Sequence, residues 1–273
     1  MTGLPFASAA PGSAPRRRIA APAHYLLHTL RLTIKNTGFM IFSVITPLVL
    51  YVVFVQIFGA AAPVGGISWP AMYMVALAAY GSLGAAMGGG SQLAVERRSG
   101  WFRQLTITTL RPRQFLLAKA GVIMLVVLPA LVLVFAAGFV VGGVRAAWWT
   151  WPAALALMWL ALIPVAVLGL VIGLWVKAET VQGLTTLTLL VLSMLGGLWF
   201  PAQLMPAAMR RLAELLPSYW IAEFGRYPFR AAAAGGHPAV FPWHGVLVLL
   251  AWMITLTIVG ALGYRRAAAT SKR

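Results

Sequence analysis

The chain has 273 residues, of which 61% are hydrophobic and only 9% charged, and it carries 21 Lys and Arg against 4 acidic residues. A soluble domain carries roughly 25% charged residues, so this composition excludes an ordinary soluble globular protein. The net charge of +17 raises nucleic acid as a partner, but the basic residues fall in the gaps between long apolar runs. That is the pattern of a multi-pass membrane protein and argues against a nucleic-acid-binding surface.

Residues 1–15 are rich in Ala, Pro, Ser and Gly and read as disordered, with residues 1–19 forming an N-terminal arm. Arg16, Arg17 and Arg18 stand too far from the first apolar run for a standard signal peptide, so that run is expected to remain as an uncleaved span. In residues 23–36, Tyr25, Leu26, Leu30 and Ile34 share one helical face, with His24, His28, Arg31 and Lys35 elsewhere. This predicts a helix lying in the membrane interface. His24 and His28 are spaced for a shared metal, but no third ligand accompanies them, which favours plain interfacial histidines.

Between Asn36 and Val95 there is no Asp, Glu, Lys or Arg, and the run is long enough for two spans. They are placed at 38–58 and 70–93, with Pro63, Gly65 and Gly66 breaking the turn between them. The third span is 120–144. The fourth begins near Pro152 within 146–176, the fifth ends near Phe200 within 180–209, and the last starts near Trp243. Pro47, Pro129 and Pro164 are expected to kink their helices. The predicted fold class is therefore all-α, six transmembrane helices in a single domain over residues 20–266, with a tail at 267–273. Sixteen of the Lys and Arg residues fall on the side of the termini and five on the other. The heavier side is cytoplasmic by the positive-inside rule, so both termini are expected in the cytoplasm and 201–242 outside.

The main cytoplasmic loop, 96–119, is more than a basic loop. Glu96, Arg97, Arg98, Arg103, Arg111, Arg113 and Lys119 supply its charge. Trp101, Phe102 and Leu105 recur at helical spacing within it, and Pro112 suits the first turn of the next helix. Charge alone would fit a solvated loop; the aromatic pair inside it argues for a surface that docks onto something.

Catalytic chemistry is not visible. Asp is absent, and Glu96, Glu179, Glu214 and Glu223 are scattered outside the predicted spans. That leaves no carboxylate pair for acid–base work and no intramembrane group for ion coupling. None of Lys35, Lys119, Lys177 and Lys272 follows a glycine, so no phosphate-binding loop is present. The chain reads as no enzyme by itself, with no cofactor or metal of its own. Gly84/Gly88, Gly138/Gly142 and Gly169/Gly173 are small-residue pairs that permit close helix contact. Ser82, Gln56, Gln92, Thr186 and Ser193 suit either a cavity or interhelical hydrogen bonds. Thr185, Thr188, Leu192 and Leu195 share one face of the fifth span. That face either lines a passage between two subunits or packs on the second span of its own subunit.

The loop from Glu96, E-R-R-S-G-W-F-R-Q-L followed by T-T-L-R-P-R and A-K, resembles the intracellular loop of type-2 ABC exporter permeases. Gly196-Gly197-Leu198-Trp199-Phe200-Pro201, Met205-Pro206 and Leu216-Pro217-Ser218-Tyr219-Trp220 resemble that family's fifth-span exit and external helices. The resemblance runs from about Ala20 to Arg266, and its Trp101–Leu105 variant looks most like bacterial drug and antibiotic exporters. Thr109-Leu110 stands where the family usually has a proline after the threonines.

The resemblance implies a subunit of the bacterial plasma membrane that pairs with a second permease subunit and with separate ABC ATPase subunits carrying ATP and Mg. Glu96, Arg97, Arg98, Gly100, Trp101, Phe102, Arg103 and Leu105 would belong to the element coupled to the ATPase, with 177–182 a secondary contact. The second and fifth spans, Thr185, Thr188, Leu192 and Leu195 among them, would line an export path for a hydrophobic small molecule. An ion-coupled secondary transporter and a non-transporting structural membrane subunit are the alternatives.

Overall fold

A computed structural model describes residues 41–61, 63, 66–98, 112–234 and 239–270 of the chain. The interfacial helix expected at 23–36, with His24 and His28, lies outside the described residues, as do Gly100, Trp101, Phe102, Arg103 and Leu105. The described residues form helices joined by short turns. They are α1 (Thr46–Phe58, preceded by a π-helical turn, Ile41–Ile45), α2 (Trp69–Arg98), α3 (Pro112–Val140), α4 (Thr150–Ala161), α5 (Ile163–Trp175), α6 (Val181–Leu195), α7 (Ala207–Ala213), α8 (Pro217–Ala233) and α9 (Trp243–Thr270). Among the described residues, four helical stretches are long and apolar enough to cross a membrane: Trp69–Arg98, Leu116–Val140, Thr150–Trp175 and Trp243–Gly263. The apolar helices Ser43–Phe58 and Val181–Leu195 are shorter.

Proline and glycine explain most of the helix punctuation. α3 opens at Pro112, where a missing N–H costs nothing. The fourth apolar run is divided at Leu162, because Pro164 disfavours helical geometry at the residue before it and cannot donate to the preceding turn. Pro47 sits in the first turn of α1, directly after the π-helical turn. Pro129 is carried inside α3 without dividing it. α6 stops at Leu195, short of the predicted end, because Gly196 caps it and Gly197 turns at φ 73°.

α2 is the axis of the bundle. Nearly all its side chains from Ala71 to Ala94 are buried, and it packs against α3 and α5 most extensively, then α1, α6 and α8. Burial is not a driving force between helices in lipid, so close packing has to hold them together. Glycines provide it between α2 and α5. A Cβ on Gly90 would overlap the carbonyl of Gly169, one on Gly173 would overlap the carbonyl of Gly90, and one on Gly169 would come within 2.7 Å of Ala86 O. Gly138 and Gly142 make room for Met74 and the Tyr51 hydroxyl. These pairs thus serve packing inside the subunit. α9 packs mainly on α5 and leaves Leu247, Leu250, Ile254, Ile258 and Leu262 exposed, a stripe for lipid.

The helices alternate between two ends. Arg98, the start of α3, the α5–α6 turn and the end of α9 lie at one end, shown by the Arg98–Glu179 pair and by Trp175 Nε1 donating to Val259 O. The α1–α2 and α3–α4 turns and the described residues of 196–234 and 239–242 follow at the other, where Trp252 of α9 donates to Leu215 O.

Candidate functional site

Three successive side chains at the end of α2 fasten it to three different places. Lys119 Nζ of α3 donates to Glu96 Oε1 at 2.5 Å, and the lysine is only 1% exposed. Arg97 Nη1 donates to Gly173 O at 2.8 Å and also to Leu174 O. These carbonyls belong to the last turn of α5, where backbone acceptors lack intrahelical partners and the helix dipole favours a cation. Arg98 Nη1 lies 3.0 Å from Glu179 Oε1 in the turn before α6, with both side chains exposed. These three residues open the stretch expected to dock, whose remaining residues lie outside the described ones.

The four residues expected on one face of α6 divide. Thr185 and Leu192 are buried within the subunit, with Thr185 Oγ1 and Ser91 Oγ of α2 hydrogen-bonded at 3.1 Å. Thr188 and Leu195 are half-buried at the border of that face. Of the two arrangements its spacing allows, Thr185 takes the one that packs on the second span of the same subunit; the exposed positions of α6 are Leu184, Leu187, Leu190, Val191 and Met194, with Gln182, Gly183 and Thr186 near its start. Thr185 and Ser193 satisfy their hydroxyls inside the subunit, while the exposed leucines are at home against apolar surroundings. On α2 the partly open positions are Gly84, Gly88 and Gln92, with Val95 exposed beyond them. Their spacing makes a single stripe, and it runs beside α6, where Leu189 Cδ2 lies 3.6 Å from a Cβ built on Gly84.

A second ionic cluster was not legible as such. Within 201–242, α8 packs closely on α4 and α2. On α8, Arg226 Nη1 donates to Glu223 Oε1 at 3.0 Å and Arg230 donates to Glu223 Oε2. Glu223 is 5% and Arg226 1% exposed. Burial alone would raise the Glu223 pKa, but Arg226 and Arg230 outweigh it and hold the carboxyl below its ordinary value. Burial and the Glu223 charge push the neighbouring Tyr219 phenol up to about 12. Glu223 lies outside the predicted spans, as its position in the sequence implied, but its burial among arginines was not foreseen. The spacing Glu223, Arg226, Arg230 puts all three on one helical face and was the available signal. Among the described residues no group of three His, Cys, Asp or Glu is placed to hold a metal.

These features define a multi-pass helical membrane protein with its ionic fastenings gathered at the helix ends and an apolar lateral face. Residues 26–229 match the ABC-2 type transporter family. The chain belongs to that family, as a membrane permease component. It is also similar to the protein named "Putative transport permease YvfS" of Bacillus subtilis (strain 168), 24% identical over 231 residues, which cover 84% of this chain and 91% of the relative.

Proposed function

We propose that the chain is the permease subunit of an ATP-driven exporter, coupled through 96–119 to a separate ABC ATPase that holds ATP and Mg. Two permease subunits would enclose a path for a hydrophobic or amphipathic small molecule, with both termini in the cytoplasm of a bacterial cell. The observation that carries this reading is the triple fastening at Glu96, Arg97 and Arg98. It stands immediately before the aromatic loop and reaches three elements of the bundle. The apolar face Leu184, Leu187, Leu190, Val191 and Met194, beside the Gly84–Gly88–Gln92 stripe, supports a path that carries apolar cargo. Thr188 and Leu195 border it; Thr185 and Leu192 act behind it, by seating α6 on α2.

The ion-coupled alternative would need a carboxylate that gains and loses a proton near neutral pH. Glu223 is held ionised by two arginines, which argues against that role. The test is ATP hydrolysis by the reconstituted complex with the partner ATPase. Apolar substrates should stimulate it in the parent, whereas Glu96→Gln should keep the complex and lose the stimulation. Transport driven by an ion gradient without ATP would overturn the reading.

A further inference from the structure

α7 differs from the other described α-helices. It is seven residues long, and of these only Ala213 is buried. At about 100° per residue, Met209 and Leu212 flank one meridian and Arg210 and Arg211 the opposite one. Phe200, Leu204 and Leu215 continue the exposed apolar side, at 63%, 65% and 62% exposure. All of this lies at the end of the bundle opposite Glu96–Arg98 and the start of α3. The helix is too short to span a membrane, and too apolar on one side to be left in water. Glu214 shares the side of the arginines, but no ion pair joins it to Arg210 or Arg211 within 4.0 Å among the described residues; both guanidinium groups keep their donors available.

We propose that α7 lies in the membrane interface and that Arg210 and Arg211 bind the phosphate of anionic phospholipid headgroups. The apolar meridian would sink toward the acyl chains and the arginine meridian would face the headgroup layer, where a guanidinium finds oxygens in a geometry it can grip with two donors. Phe200, Leu204 and Leu215 extend the apolar footing on either side. Trp243 at the start of α9, with Trp148 and Trp149 before α4, is exposed at the same end, as side chains at a headgroup level are. The surface is therefore a site for an anionic lipid, independent of any ATPase or exported molecule.

The test uses the full chain reconstituted in vesicles of phosphatidylcholine with a limiting fraction of phosphatidylglycerol. A fluorophore on Leu212→Cys is quenched by brominated lipid, and the bromine is placed either on the phosphatidylglycerol or on an equal fraction of phosphatidylcholine. Stronger quenching by the anionic lipid is expected. Arg210→Gln with Arg211→Gln should erase the preference, a change on the order of tenfold in relative affinity. Replacing both by Lys should keep most of it, and Arg145→Gln, at the same end, should leave it intact. Equal quenching by both lipids would overturn the proposal, as would a preference that survives the double Gln variant or is abolished by inorganic phosphate at matching concentration. So would a label that neither lipid reaches but that cross-links to a second copy, since α7 would then be covered by protein.

Discussion

At residue scale, the buried ions carry the sharpest consequences. Removing one member of a buried pair strands the other, at a cost of about 3–5 kcal/mol. Glu223→Ala would leave Arg226 buried without its carboxylate, and a large drop in thermal stability of the detergent-purified chain is expected. The pH dependence has a definite sign. Because folding lowers the Glu223 pKa, the unfolded chain binds the proton more readily. The contribution is thus complete at neutral pH, starts to fall as the pH drops below about 4.5, and is gone below the lowered value. Glu223→Gln should flatten the acid limb of a melting-temperature profile; an unchanged limb would remove Glu223 from the account. Lys119 is the parallel case at the other end. Glu96→Gln should destabilise by about 2–4 kcal/mol, the buried-pair figure reduced because Glu96 is partly exposed. Adding Lys119→Met removes the stranded charge, so the double variant should melt closer to the parent while still failing to couple. If stability and coupling return together, the pair has only a structural role.

At the scale of the elements, the α2–α5 contact is the joint on which the bundle depends. A Cβ on Gly90 meets backbone, which cannot rotate away. Gly90→Ala should force α2 and α5 apart and cost about 1–3 kcal/mol, read as lower melting temperature and yield. Gly183→Ala, on α6 with nothing within 4 Å of the added carbon, should be neutral or stabilise by up to about 1 kcal/mol. Uncharged runs and prolines place the starts of α2 and α9, whereas α3 begins at Pro112, ahead of the run from Ala120 that marked it, and the one span expected from Pro152 is divided into α4 and α5. The partners were not legible. Spacing puts Thr185 and Leu192 on one face but does not say which neighbour that face meets, and here it is Ser91 of the same subunit. Lys119 and Glu96 bracket a loop, and only the fold brings their charges together. Arg226 and Glu223 read as separate charges of one segment, because charge counting assigns sides and not partners. Arg97 on the α5 carbonyls had no sequence signal, because backbone acceptors leave none.

At the scale of the whole molecule, the alternation of helix ends puts residues 96–98, the α5–α6 turn and the end of α9 together, and the topology proposed from the excess of positive charge has that side in the cytoplasm. Cysteine introduced at Ser271 should resist impermeant reagents in intact cells, whereas Ala233→Cys should react; the reverse pattern would invert the topology. The central claim is that the stretch beginning at Glu96 docks an ATPase. Aromatic side chains in a desolvated pocket commonly lose about 2 kcal/mol or more on truncation, whereas exposed ion pairs contribute roughly 0–1 kcal/mol. The most direct measurement is therefore co-purification of an ABC ATPase with the tagged chain, comparing the parent, Trp101→Ala and Arg103→Ala. The parent should bring down the ATPase, Arg103→Ala should retain most of it, and Trp101→Ala should lose it while keeping the parent's own melting temperature. A Trp101→Ala chain that assembles and transports like the parent would contradict the claim.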